Sequence, residues 1–474
     1  RMPPNDPEKL FIKRTFLIGL GFMTAMAAWS YYNFMVPLIL GDFLPDTRYW
    51  GAIGKDSVIG FIMTLDNIIA VLLQPYFGTL SDRMMSKYGR RTPFVLIGCT
   101  FGAISFAILP HLGVFGVLIG VILLFNLAMA FYRAPVVALM PDLTSPKVRS
   151  TGNAIINLMG GFGTVAGYAA PIIMELIYGK GEVQLARIGG FTMISGIMIL
   201  GMIFLFVTIK ETPTGEGFWK VADHPIPVDP VSFELMDATI TSGAAEVKTS
   251  RMDDLFTVFR EKEKSALFML LAIFSWFFGF NAIEAFYSRY ATLYLGWSEG
   301  QAGMVLLLLP VMLILSAIPA GKVAERIGRR KTMTIGLIGL ICCVAPLVFI
   351  KELIWAAILL GLCGICWGMI NINSIAVVWQ LAPKGKTGSY TGVYYTFSQL
   401  AAILSPIFAG FSADLYSYNN PSIPDGGQYV ILFPYVLIWM VIALFFLTRV
   451  KRGEASDLTQ EELERLKQQY GDDD

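Results

Sequence analysis

Gly78-Thr-Leu-Ser-Asp-Arg83, followed by Gly89-Arg-Arg91, returns in the second half of the chain as Gly321-Lys-Val-Ala-Glu-Arg326, followed by Gly328-Arg-Arg330. Each copy comes just after a long apolar run, 57–80 in one case and 301–323 in the other. An acid at a helix end can hold an arginine, glycine permits the tight turn, and arginines satisfy helix-end carbonyls while resisting passage across a bilayer. Taken singly, either copy is an ordinary basic loop. Twice, in the same register, they mark a parallel duplication.

Working outward, apolar runs long enough to span a membrane, about 20 residues each, lie near 15–39, 57–80, 93–110, 114–140, 151–178, 188–209, 265–294, 301–323, 332–350, 353–380, 388–413 and 428–449. Pro110 and Gly113 mark the turn that divides 93–140 into two. The chain therefore reads as an all-α membrane protein, twelve transmembrane helices in two six-helix halves. The halves are 1–209 and 265–450, with a polar central loop 210–264 and a tail 451–474. Composition agrees: of 474 residues 55% are hydrophobic and 15% charged, against about 25% charged in ordinary soluble domains. The first apolar run has no small-residue cleavage site and reads as a retained helix.

Several function classes drop out. A net charge of +1 gives no reason to expect a nucleic-acid partner. His111 and His224, the two histidines, are too far apart for a metal site. Cys363 and Cys366 form a CxxC pattern inside an apolar, glycine-rich run and read as small packing residues. There is no phosphate-binding loop and no catalytic triad to place, so the chain reads as no enzyme, with no cofactor.

Lysines and arginines of short loops set orientation. Arg83, Lys87, Arg90 and Arg91 follow the second run, Lys147 and Arg149 the fourth, Lys322 to Lys331 the eighth, Lys384 and Lys386 the tenth, and Arg449 to Arg452 the last. These are alternate loops, which places them, both termini and 210–264 on the cytoplasmic side of a multi-pass protein of the cell membrane.

The duplicated loop resembles that of the major facilitator superfamily. The first copy has five residues between Arg83 and Gly89, where the superfamily usually has one. With Gln74-Pro-Tyr-Phe-Gly78 before it and Thr92-Pro-Phe94 after it, it looks like the plant sucrose carriers and the related animal sugar/proton carriers. Ala134-Pro135 and Ala138-Leu-Met-Pro-Asp142-Leu143 resemble a second patch of that branch. The resemblance implies that Gly78, Asp82, Arg83, Gly89, Arg90 and Arg91, with Glu325, Arg326, Arg329 and Arg330 in the second copy, latch a gate rather than touch a solute. Two departures stand out. The branch's helix-four arginine falls on Val137, with Arg133 one turn earlier. Its proton-carrying aspartate falls on Asn126, which cannot titrate.

Ionisable groups inside spans are costly and mark function by default. Asp66 lies mid-helix in the second span, and Arg133 shares a face with Asn126. Asp66 and Arg133 can serve a solute or simply lock two helices together. In the seventh span Asn281, Glu284 and Ser288 share a face with Arg289 beside them. Asp66 and Glu284 are the candidates for ion coupling. Sugars are held by hydrogen bonds to hydroxyls and by aromatic faces, so Asn126, Arg133, Asn157, Asn281, Trp367, Asn371, Tyr395 and Gln399 are the substrate-binding candidates. The expectation is a monomeric carrier in the lipid bilayer. It would take a small sugar, an α-glucoside such as sucrose or maltose on the resemblance, with H+ or Na+ as companion ion. An uncoupled facilitator, a drug exporter of the same fold and a non-translocating sugar receptor are the alternatives.

Overall fold

The structure is a computed structural model that describes residues 12–46, 49–84, 86, 88–144, 149–209, 263–382 and 387–452. Lys87, Lys147, Lys384 and Lys386, nearly all of the central loop 210–264, and the tail beyond 452 lie outside the described residues. Twelve helices are present among them: α1 (12–43), α2 (55–83), α3 (92–108), α4 (115–143), α5 (149–178), α6 (183–208), α7 (265–289), α8 (299–327), α9 (329–347), α10 (353–381), α11 (387–419) and α12 (432–448). A π turn, 290–294, extends α7. Two six-helix halves result, and no β-strand is found among the described residues.

Eleven of these helices are long and apolar enough to cross a bilayer. The remaining one, α1, has 32 residues but carries Trp29-Ser-Tyr-Tyr-Asn33 at its centre. It tolerates these because it is an interior helix, with Ser30, Tyr31 and Tyr32 all buried against α4, α5 and α6. Lipid-facing surface belongs to the outer helices. Ile97, Phe101, Ile104 and Ile108 of α3 are exposed at helical spacing, as are Ile438, Val441 and Phe445 of α12. Apolar stripes with all backbone bonds made inside the helix are what a bilayer selects.

The duplication survives in detail. Helices α2 and α8 both have 29 residues, with Pro75 and Pro319 in matching places ahead of the repeated motif. Gly89 at φ +100° and Gly328 at φ +95° make the turns that follow, a backbone region that disfavours side chains. We call the end carrying these turns the motif face and the opposite end the far face.

The halves meet along α2 with α11, α5 with α8, and α1 with α7. At the first crossing the chains touch backbone to backbone. A Cβ on Gly60 would stand 2.1 Å from the Pro406 carbonyl oxygen, and one on Gly410 2.2 Å from that of Asp56. Small residues let helices approach this closely in lipid, where packing rather than the hydrophobic effect holds helices together.

Candidate functional site

Counting along the helices from the far face locates the polar groups. Asp66 and Asn126 each stand 11 residues from the start of their helices, Tyr32 stands 11 from the end of α1, Tyr168 10 from the end of α5, and Glu284 10 from the end of the π turn. At 1.5 Å per residue these five share one level, about 15 Å below the far face. They come from both halves. Asp66 lies within electrostatic reach of Glu284 and of Arg133, and Tyr168 within reach of Glu284.

Several groups in this layer are short of partners. Asn126 is 1% exposed, and neither its amide nitrogen nor its oxygen has a hydrogen-bond partner. The adjoining Tyr32 hydroxyl, close enough to act on Asn126, is likewise buried and has no hydrogen bond to the rest of the protein. Trp29, Tyr32 and Phe125 wall this spot, with Tyr32 stacked on Phe125 at 5.4 Å and Trp29 edge-on to both. Asp66 is half-buried, and its Oδ1 accepts from the Asn67 backbone at 2.6 Å and from its side-chain amide at 2.9 Å. Glu284 is half-buried with no hydrogen bond among the described residues. Unpaired buried polar groups cost roughly 1–3 kcal/mol each, so a cluster of them points to something that completes it.

A second layer lies nearer the motif face. Arg133 and Asn371 are both 18 residues from the far ends of their helices, Gln399 is 20 and Asn157 is 21. Asn157, Gln399 and Tyr395, the last 54% exposed, are open on this side. Arg133 is half-buried and makes no ion pair with Asp66, although the two charges feel each other. Asn281 is half-buried and turns its amide to the Phe277 carbonyl at 2.7 Å. Trp367 is 3% exposed, stacked on Phe280 at 4.4 Å and edge-on to Phe277, so its ring packs α10 against α7. Tyr394, the buried neighbour of Tyr395, meets Ser374 Oγ at 3.3 Å.

In the first half the motif residues form a knot. Arg90 pairs with Asp142 Oδ1 at 2.8 Å, and Arg91 pairs with Asp142 Oδ2 at 2.9 Å and with Asp82. Arg91 also donates to Ser81 Oγ and to the Gly78 carbonyl at 3.3 Å. Asp142 at the end of α4 is thus the hub of the knot, a role its sequence position alone does not announce. The second copy differs. Arg330 donates to the Val450 carbonyl at 2.9 Å, whereas Glu325 and Arg326 are exposed. Gly328 both ends α8 and precedes Arg329 at the start of α9. Arg83, too, is exposed.

Arg289 corrects an expectation. It does not neighbour Glu284 as a partner but sits at the far-face end of α7, 2% exposed. There it pairs with Asp56 at 3.6 Å, donates to the Tyr429 hydroxyl, and reaches the Pro37 carbonyl at 3.1 Å. Five residues of α-helix put Glu284 and Arg289 about 7.5 Å apart along the axis and well round it, so adjacency on a helical wheel misled. The other ion pair that crosses between halves, Arg187 with Glu299 at 2.7 Å, also lies on the far face, where Arg187 holds Asp42 at 2.6 Å as well. On the motif face, the ion pairs among described residues stay within one half.

Comparison with known proteins agrees with this architecture. A family model described as Major Facilitator Superfamily matches residues 18–406, with a second, overlapping match at 295–470. A sucrose transport protein of Arabidopsis thaliana, SUC3, is 31% identical over 132 residues, 23% of this chain and 22% of that protein. The proton-associated sugar transporter A of Rattus norvegicus is 27% identical over 268 residues, 48% of this chain and 33% of the relative. Matches to these relatives thus span a third or less of their lengths. Among solved structures, the inward open xylose transporter XylE from E. coli superposes with a TM-score of 0.64 at 14% identity, covering 96% of this chain and 100% of that one.

Proposed function

Because the chain belongs to the major facilitator superfamily, we propose that it is a secondary transporter of a small sugar, an α-glucoside disaccharide such as sucrose or maltose, coupled to a cation and to H+ first. The observation that carries this reading is the polar layer formed by Tyr32, Asp66, Asn126 and Glu284 between the two halves, in which the Tyr32 hydroxyl and the Asn126 amide are buried with no hydrogen bond to the rest of the protein. Polar groups in a lipid-embedded bundle are costly unless a ligand or ion completes them. Relatives named for sucrose and for proton-associated sugar transport support the substrate class and the coupling.

Positive-inside asymmetry makes the motif face cytoplasmic. Inter-half ion pairs then lie outside, and on this reading the conformation is the one closed to the exterior. In this arrangement the sugar enters from the second layer, past Asn157, Gln399 and Tyr395, with Asn371 and Arg133 at its end. Asn126 presents its amide above it, Asn281 lies beside it with its amide nitrogen on the Phe277 carbonyl, and Trp367 stiffens the wall. Asp66 and Glu284 are the proton-carrying candidates, one in each half. The knot of Gly78, Asp82, Gly89, Arg90 and Arg91 shapes the cytoplasmic gate.

Uptake of radiolabelled sucrose and maltose into proteoliposomes, with imposed H+ or Na+ gradients, tests the reading. Accumulation that follows the H+ gradient supports it. Uptake that ignores both gradients leaves an uncoupled facilitator, which the amide at Asn126 favours as the second reading. Absence of uptake for every sugar tried removes the substrate claim.

A further inference from the structure

Two carboxylates on the far face do the same thing in opposite directions. Glu175, near the end of α5, accepts the Gly300 backbone N–H at 2.9 Å, in the first turn of α8. Asp414, near the end of α11, accepts the Gly54 N–H at 2.8 Å, the Ser57 N–H at 2.7 Å, the Asp56 N–H at 3.2 Å and the Ser57 hydroxyl at 2.6 Å, all at the start of α2. Helix α5 is fifth in its half and α11 fifth in the other; α2 and α8 are second in theirs. The contacts are therefore related by the duplication. In each, the fifth helix of one half caps the second helix of the other.

The sequence shows why the caps come from across the interface. A helix start exposes amide N–H groups and a positive dipole end. Gly54, at the cap position of α2, has no side chain to supply an acceptor. Ser298 caps α8 through Gln301, which leaves the Gly300 amide to Glu175. Close backbone packing makes the reach possible, since Gly410 and Gly303 lie against Asp56 and Tyr168 of the opposite half.

We infer that Glu175 and Asp414 are paired gating residues: two equivalent clasps, each a carboxylate of one half on a helix N-terminus of the other, that hold the far face shut and must both let go for it to open. Arg187–Glu299 and Asp56–Arg289 lie beside them and tighten the same seam. Unlike a salt bridge between two long side chains, a carboxylate on fixed backbone amides has little freedom to slide, so each clasp is made or broken as a unit.

This rests on the transporter reading, but its test needs no sugar. Met35 lines a far-face cavity of about 370 Å³ that Glu175 and Gly300 also border. Asn153 is exposed toward the motif-face end of α5. Met35→Cys and Asn153→Cys serve as separate reporters, labelled in membrane vesicles with an impermeant maleimide from the far and motif sides respectively. Labelling is read as the increment over the parent chain with its five native cysteines. Glu175→Gln and Asp414→Asn, which keep an acceptor but remove the charge on it, should each raise labelling at the first reporter by about tenfold or more, and lower it at the second. Glu182→Gln, an exposed acid on the same face, should change neither. If a neutral variant fails to reach the membrane, Glu175→Asp, whose shorter arm cannot span to Gly300, is read in the same way. Parallel increases at both reporters would mean a loosened bundle, and no change would mean no clasp; either overturns the inference.

Discussion

Asp66 on α2 and Glu284 on α7 lie at one depth, one from each half, close enough to feel each other's charge and without an ion-pair partner among the described residues. Two carboxylates so placed repel each other when both are charged, the more so in a poorly screened site. On the proposed coupled mechanism, a proton taken up at either one relieves that repulsion across the seam.

Replacing Asp66 by Asn is expected to abolish uphill accumulation while leaving downhill exchange. Glu284→Gln should act in the same direction with a smaller loss. The measurement is gradient-driven uptake against equilibrium exchange in one proteoliposome preparation. Equal losses in both assays would make Asp66 a structural partner of Arg133 instead.

Asn126→Asp places a titratable group at a buried position with no hydrogen-bond partner. Transport by this variant should depend on pH more steeply than transport by the parent chain, since the new acid must gain and lose its proton within the cycle. A pH profile that superimposes on the parent's would show that the position lies outside the proton path.

The knot on the motif face should depend on Asp142 more than on Asp82. Asp142 holds two arginines and is mostly buried, whereas Asp82 is 53% exposed at its side chain. Breaking a buried pair costs about 3–5 kcal/mol, and an exposed one at most ~1 kcal/mol. Asp142→Asn is therefore expected to lower both transport and the melting temperature in detergent, with Asp82→Asn lowering transport alone. Equal melting temperatures for the two variants would contradict this ranking.

If the second layer holds the sugar as proposed, Asn371→Ala and Gln399→Ala should each weaken its binding by about 1–3 kcal/mol, because sugar hydroxyls lose partners. Trp367→Ala should instead cost stability, about 3–5 kcal/mol, as an aromatic removed from a packed wall. Calorimetric binding beside thermal unfolding separates these outcomes.

Read without coordinates, the sequence already determined the bilayer as solvent, the number and rough limits of the helices, and the duplication. Each of these is a local or periodic property. A run near 20 apolar residues, a proline-glycine break and a loop rich in arginine act through hydrophobicity and backbone sterics, which need no distant partner. Asp66, Glu284 and Asn126 stood out for a related reason, a polar side chain where apolar ones are the rule. Only the tertiary structure decided which of them meet. Arg289 looked like a neighbour of Glu284 and serves Asp56 and Tyr429 instead, groups that lie 233 and 140 residues away along the chain. Glu175 and Asp414 sit at helix ends where acids are common, and nothing local sets them apart. Their roles come from the way the halves dock, through helix ends that lack a complete cap of their own, and that pairing across the interface is fixed by packing rather than by any spacing along the chain.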